Sequence, residues 1–282
     1  MQTTKKVLIV GCGDLGTALA HQLQAQGISA IGLSRSLSAD TRLLRIQADV
    51  TQPSSLSTIA DINPDFVVYC VAASAQTDEN YRQHYVQGLA NVLNALDGAS
   101  NLKHVFFVSS TRMYGASTEA LLDEHSEVQA LDFGAQRLLE AENLLRLTAK
   151  TWTYTTLRLT GIYGPGRTRM LTLAAHPSQW PQQNTWTNRI HRDDAAAFVL
   201  HLINRLMAGQ SIQDCYIVTD SCPVSQYEVL HYLAEKMGIN IATALPPVLG
   251  GKRMSNQRML STGFHLKYPD YQLGYSAMLD AV

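Results

Sequence analysis

The chain has 282 residues, 46% of them apolar and only 16% charged, which is ample for a core in one large domain or a domain with a lobe. Its 22 Lys and Arg against 23 Asp and Glu leave a net charge of −1, so there is no basic field to hold nucleic acid by counterion release, and nucleic acid is excluded as a main partner. The polar start, Met1 to Lys6, and the short apolar run behind it suit neither a signal peptide nor a membrane span, so the expectation is a cytoplasmic protein with no membrane partner.

Val7 to Val10 is a short apolar run suited to a buried parallel strand, and Leu15 to Gln24 follows with helical spacing. Gly11, Gly13 and Gly16 then sit on a strand-to-helix turn in the order of a dinucleotide fingerprint. Gly11 permits the tight turn, Gly13 lets backbone approach a pyrophosphate, and Gly16 lets helix pack close to strand. Asp14 and Leu15 open the helix whose N–H groups would meet the phosphates. Ser29 to Leu33 reads as the second strand and ends in Ser34-Arg35-Ser36. No acid stands there to bond a ribose 2′-hydroxyl, and Arg35 can pair with a 2′-phosphate, so NADP is favoured over NAD. Leu44 to Ala48 is the third strand, closed by Asp49, which reads either as an adenine-contacting acid or as a turn cap.

Asp65 to Val71 is the fourth strand, and the small residues Ala72, Ala73 and Ser74 behind it would let a cofactor lie against the backbone at the carboxyl end of the sheet. From Glu79 to Leu96 a helix carries Tyr81, Tyr85, Leu89, Val92 and Leu96 as a stripe that is mostly core, with a face able to pair with another subunit. Val105 to Ser109 is the fifth strand, Asp132 to Lys150 a long helix, and Thr153 to Leu159 the sixth strand. This alternation predicts an α/β fold, a Rossmann doubly wound parallel sheet. Arg169 to Asn188 loses the pattern and reads as a loop over the sheet's carboxyl edge. A helix from Asp193 to about Met207, a strand from Cys215 to Thr219, a helix from Val224 to Met237 and a short Ser255 to Leu260 helix complete the chain. The predicted domains are residues 1–160, with 189–220 returning to the sheet, and a small discontinuous C-terminal substrate lobe from 161–188 and 221–282.

Cys12, Cys70, Cys215 and Cys222 have no Cys-x-x-Cys spacing, which points to buried free thiols rather than disulfides or zinc ligands. Cys12, in the glycine turn, either fills space or is reactive at the helix N-terminus. No His and acid cluster at ligand spacing predicts a metal site.

The glycine turn, Ser109-Ser110-Thr111-Arg112-Met113-Tyr114-Gly115, Asp123-Glu124, Leu157-Arg158-Leu159-Thr160-Gly161-Ile162-Tyr163-Gly164-Pro165-Gly166 and Arg189-Ile190-His191-Arg192-Asp193-Asp194 occur here in joint order. In them the chain resembles the extended short-chain dehydrogenase/reductase group, the NAD(P)-dependent sugar epimerases and dehydratases. The shortened glycine turn and Gly251-Lys252-Arg253-Met254-Ser255-Asn256 resemble its atypical members. The resemblance implies oxidoreductase chemistry on a small molecule such as a sugar nucleotide, a homodimer through the 79–96 and 132–150 helices, and cofactor contacts at Thr160 and Ile162. It also implies a Tyr-x-x-x-Lys acid–base pair. Here Phe133 replaces the tyrosine and offers no proton, while Arg137 replaces the lysine and could still donate to a nicotinamide ribose. Ser110 matches the substrate-bonding Ser/Thr, with Thr111 beside it. Asp132, Tyr114, Tyr163 and His191 are weighed as substitutes, Asp132 first as a helix cap and His191 as a neighbour of two helix-capping acids. Two readings result: an epimerase/dehydratase-type enzyme exchanging hydride at a hydroxyl-bearing carbon, or a non-catalytic sensor or scaffold whose partner surface follows NADP occupancy.

Overall fold

The computed structural model describes residues 4–36, 42–115, 120–149, 151–241 and 244–280, so Met1 to Thr3 of the polar start and Lys150 at the end of the long helix lie outside the described residues. In chain order β1 (Lys6–Val10) runs into α1 (Asp14–Ala25), followed by β2 (Ser29–Ser34), β3 (Leu44–Gln47) and β4 (Phe66–Tyr69). A helical stretch of α2 (Asp78–Tyr81), a π-helical turn (Arg82–Gln87) and α3 (Gly88–Ala95) leads to β5 (His104–Ser110), α4 (Phe133–Thr148) and β6 (Thr153–Leu159). Then come α5 (Arg169–Ala174), α6 (Arg192–Met207), β7 (Cys215–Val218), α7 (Gln226–Lys236), α8 (Gln257–Leu260) and α9 (Tyr271–Leu279).

The seven strands form one parallel sheet in the order β7-β6-β5-β4-β1-β2-β3. Val7, Leu8, Ile9 and Val10 of the central strand are wholly buried, as are Val105, Phe106 and Phe107 of β5. Strands covered on both faces need continuous apolar runs, and these residues supply them. The order reverses at β1, so the chain leaves the carboxyl ends of β1 and β4 toward opposite edges of the sheet, the place where open α/β sheets bind ligands.

The chain forms two compact units, the first from 1–115, 128–158 and 196–216, the second from 116–127, 159–195 and 217–282. In the first unit α4 is capped by Asp132, whose side chain accepts from Ala135 N at 2.8 Å. Below it lies a buried pair: the Arg158 guanidinium donates to both Glu142 oxygens at 3.2 and 2.7 Å and to the Tyr114 hydroxyl at 2.7 Å. The second unit gathers Tyr163, Val229, Leu230, Leu233, Tyr271 and Tyr275 into its core, with α7 started by a Ser225–Glu228 capping box. Among the described residues no helix is long and apolar enough to cross a membrane.

Three expectations change. The expected loop from 169 to 188 contains α5 and a strand, Asn184–Thr187, paired with 224–225 and 248–251; its polar Asn-Thr-Trp-Thr sequence hides a strand that backbone pairing holds. The helix expected from 79 to 96 is interrupted by the π-helical turn. The tail carries α9, capped by Asp270 and seated so that a Cβ on Gly274 would run into the Tyr163 hydroxyl.

Candidate cofactor and active site

At the end of β1 the three glycines have separate physical reasons. Gly11 has φ +90°, and a Cβ there would lie 2.5 Å from Val71 N, so backbone from β4 closes on it. Gly16 would place a Cβ 2.9 Å from Gly11 O and 3.0 Å from Ile9 Cγ2, so α1 lies directly on β1. Gly13 faces open space, with nothing among the described residues within 4 Å of its missing Cβ, and as the N-cap of α1 it brings no side-chain acceptor of its own. A helix start whose N-cap has no side chain lets a dinucleotide pyrophosphate approach the first-turn amides, and the residues present fit that group. Asp14 is exposed in the first turn and Leu15 is buried.

At the neighbouring strand ends Ser34 Oγ donates to Ser36 O, and Arg35 is exposed. Asp49 is spent on Thr51, accepting from its N at 2.9 Å and its hydroxyl at 2.8 Å. Burial works to raise this carboxyl, but the Thr51 bonds and the Arg35 and His84 charges together hold it below its usual range. Arg45, unmarked in the sequence, reaches from β3 to the glycine turn: its guanidinium donates to Cys12 O at 2.9 Å and to Thr17 Oγ1 at 3.0 Å, while its buried Nε has no partner among the described residues. Cys12 itself is a packed thiol, pushed up by burial, its Sγ 2.7 Å from where a Gly32 Cβ would lie. That leaves the space-filling role for it, since the reactive form is the thiolate.

Behind β4 the Ala72–Ala75 loop is shaped from the next helical stretch. Asn80 Oδ1 accepts from Ser74 N and Ala75 N at 2.9 and 3.0 Å, and Ala73 N donates to the Tyr85 hydroxyl at 3.4 Å. At the end of β5 Ser110 is half-buried and caps the following turn, its Oγ accepting from Arg112 N at 3.1 Å; Thr111, beside it, is also half-buried.

Phe133 and Arg137, at the positions expected to correspond to the acid–base pair, are both engaged with neighbouring side chains. The Phe133 ring stands edge-on to Tyr81, 5.3 Å between centroids, and the Arg112 guanidinium lies 5.4 Å above it. Arg112 in turn donates to Asp132 at 3.0 Å and to the Tyr81 hydroxyl at 3.0 Å. Asp132 thus divides its oxygens between a helix cap and a guanidinium, and though burial works to raise it, those bonds keep it below the usual carboxylate range, unsuited to take up a proton near neutrality. Arg137 grips Asp78 with two bonds of 2.7 and 3.0 Å and Glu140 with one of 2.6 Å.

In the second unit Thr160 is buried, its hydroxyl donating to Val218 O at 3.3 Å and lying 3.1 Å from Thr219 Oγ1; Ile162 is half-buried. Tyr163 is buried against Tyr275 and gives its proton to Asp270 O, and burial pushes its phenol well up. His191 is also buried, packed 4.0 Å from Tyr268, with Nδ1 accepting from Asp193 N; burial holds it below the ordinary imidazole value and therefore neutral. Asp193 pairs with Arg192, while Asp194 accepts from Lys267 N and Tyr268 N at 2.9 and 2.8 Å. Both acids lie in the first turn of α6 and neither is its cap. The His191 motif therefore fastens the C-terminal segment to α6.

The profile of the NAD dependent epimerase/dehydratase family matches residues 7–217. Protein YeeZ of Escherichia coli K12 is 26% identical, over 94% of this chain and 97% of its own. Among solved structures, a Methylobacillus flagellatus protein provisionally named an NAD-dependent epimerase/dehydratase is 48% identical, with a TM-score of 0.91 over 99% of each chain. MoeE5, solved with UDP-glucuronic acid and NAD, shares the fold at 19% identity, TM-score 0.79, over 98% of this chain and 100% of its own.

Proposed function

Because the chain belongs to the NAD dependent epimerase/dehydratase family, we propose that it binds NADP and exchanges hydride at a hydroxyl-bearing carbon of a small molecule, a sugar nucleotide or a close analogue. The observation that carries this reading is the glycine turn, bare at Gly13 and flanked by Arg35 with no acid at the end of β2. The UDP-glucuronic acid and NAD held by MoeE5 on the same fold support the substrate class. Bound nicotinamide supplies the hydride acceptor or donor. The chain's own part is to seat the phosphates on the first turn of α1, to meet the 2′-phosphate with Arg35, to bond the substrate oxygen with Ser110 and Thr111, and to move one proton. We place the protein in the cytoplasm, as a homodimer.

Calorimetric titration with NADP and NAD in parallel, repeated on Arg35→Ala, tests the cofactor reading. NADP binding that weakens by tenfold or more in the variant, with NAD little changed, is expected for a charge-assisted bond worth about 1.5–3 kcal/mol. Binding of neither dinucleotide overturns it. A second reading, an NADP-occupancy sensor, is favoured by Phe133 and by the three bonds that hold Arg137 away from a cofactor role.

A further inference from the structure

A hydride exchange at a carbinol carbon needs a group to hold its proton, and neither degenerate position offers one. Phe133 has no proton, and Arg137 is fixed on Asp78 and Glu140. The phenols of the first unit can be taken in turn. Tyr69 gives its proton to His84 O inside the core. Tyr81 is buried, its hydroxyl held between Arg112 and Gln76 Oε1. Tyr114 is buried on Arg158, and Tyr216 on Gln213 N. Tyr154 stands at the amino end of β6, away from the sheet's carboxyl edge.

Tyr85 differs from all of these. Its stripe partners Tyr81 and Leu89 are buried, but Tyr85 is half-buried, on the widened π-helical turn that breaks the helix at Arg82–Gln87. Such turns are rare and concentrate at functional sites. Its Oη lies 3.4 Å from Ala73 N, at the loop that follows β4 on the carboxyl edge, and no acceptor for its own proton exists among the described residues. The ring stands 5.2 Å from Tyr81, which in turn contacts Phe133.

We propose that Tyr85 is the proton-transfer residue of this site, its phenol replacing the one that Phe133 lacks. The proposal rests on the dinucleotide-binding reading above. Tyr85 Oη gives its proton to the oxygen of a substrate carbonyl as that carbon receives the hydride of the reduced dinucleotide; the products are an alcohol and a phenolate, which regains its proton from water. The direction agrees with its surroundings. Burial raises this phenol, Ala73 N lowers it, and of the charged or titratable groups that face it Tyr81 raises and Arg112 lowers it, with Tyr69 also in range from β4. The resting group is an acid.

The test is 13Cζ-tyrosine NMR across pH, on the full chain with saturating NADP+ or NADPH, the Tyr85 resonance being identified by its loss in Tyr85→Phe. The cationic nicotinamide is expected to lower the Tyr85 midpoint by about one pH unit, and the neutral reduced ring to leave it unmoved. A tyrosine that only packs near the phosphates would respond to both forms alike. Equal responses, no response in protein that binds NADP by calorimetry, or a response that belongs to Tyr81 and disappears in Tyr81→Phe would each overturn the assignment. Calorimetry showing no dinucleotide binding removes the function reading, and this assignment with it.

Discussion

At the scale of single residues the glycine turn was legible because its spacing alone dictates the backbone it forms. Gly11, Gly13 and Gly16 could be placed because a tight turn, an open approach and a close helix each demand glycine at a fixed offset, and the structure gives each its separate reason. Arg45 was not legible, because it sits within a short strand with no motif around it and reaches the turn only through sheet pairing with Gly32. Tyr85 was hidden differently: at helical spacing a tyrosine reads as core, and only the widened turn takes it off the buried face. Arg45 yields a prediction distinct from that for Arg35. Its bonds go to Cys12 O and Thr17 Oγ1, within the turn itself, so Arg45→Met loosens the cradle that both dinucleotides share. Calorimetry should show NADP and NAD weakened together, by roughly tenfold for two lost bonds to a charged group. A loss confined to NADP would instead make Arg45 a reader of the 2′-phosphate.

Whole elements followed the pattern where apolar periodicity was strong. The alternation of strands and helices gave the Rossmann sheet, and Asp132 was identifiable as the cap of α4 because a short acid precedes its first apolar turn. The strand at Asn184–Thr187 and helix α9 were missed, since the one is polar and the other is fixed by contacts of Gly274 with Tyr163 that no periodicity encodes. Helix α4 also explains an otherwise unfavourable residue. Gly134 lies in its first turn, where alanine would favour the helix by about 1 kcal/mol. A Cβ there would stand 2.5 Å from the Arg112 guanidinium, and that group is pinned by Asp132, Tyr81 and the Phe133 ring. Gly134→Ala should therefore destabilise the protein in urea unfolding. In an Arg112→Ala background, with the obstruction gone, the same change should stabilise it by about 1 kcal/mol. Two changes of the same sign would mean that Arg112 does not dictate the glycine.

For the whole molecule, the doubly wound parallel sheet was readable from the alternation of strands and helices, whereas the strand order came only with the structure and stability against pH depends on buried groups that sequence does not mark. His104 in β5 and Asp220 just after β7 are two such groups, with 2% and 1% of their surface exposed. Burial pushes His104 down from 6.5 to about 3, its Nδ1 lying 2.7 Å from Thr153 Oγ1 and its Nε2 unpartnered among the described residues. Burial pushes Asp220 up from 3.8 to about 7, against the opposing pull of Arg189 and a bond from Cys222 N, while its Oδ2 is unpartnered among the described residues. The unfolded chain protonates His104 more readily than the folded one, so its contribution is complete above pH 6.5 and is lost as pH falls toward 3. The folded chain holds the Asp220 proton more tightly, so that contribution is complete below pH 3.8 and is lost as pH rises toward 7. Between pH 3.8 and 6.5 the two slopes oppose, each up to about 1.4 kcal/mol per pH unit, and largely cancel. Removing either group should expose the other. Asp220→Asn should gain stability as pH rises to 6.5 and then level off, exceeding the parent above pH 7; His104→Gln should lose stability steadily from pH 4 to 7. Calorimetric unfolding across that range reads both curves, and parallel profiles for the two variants would show that neither group is buried in the state these distances describe.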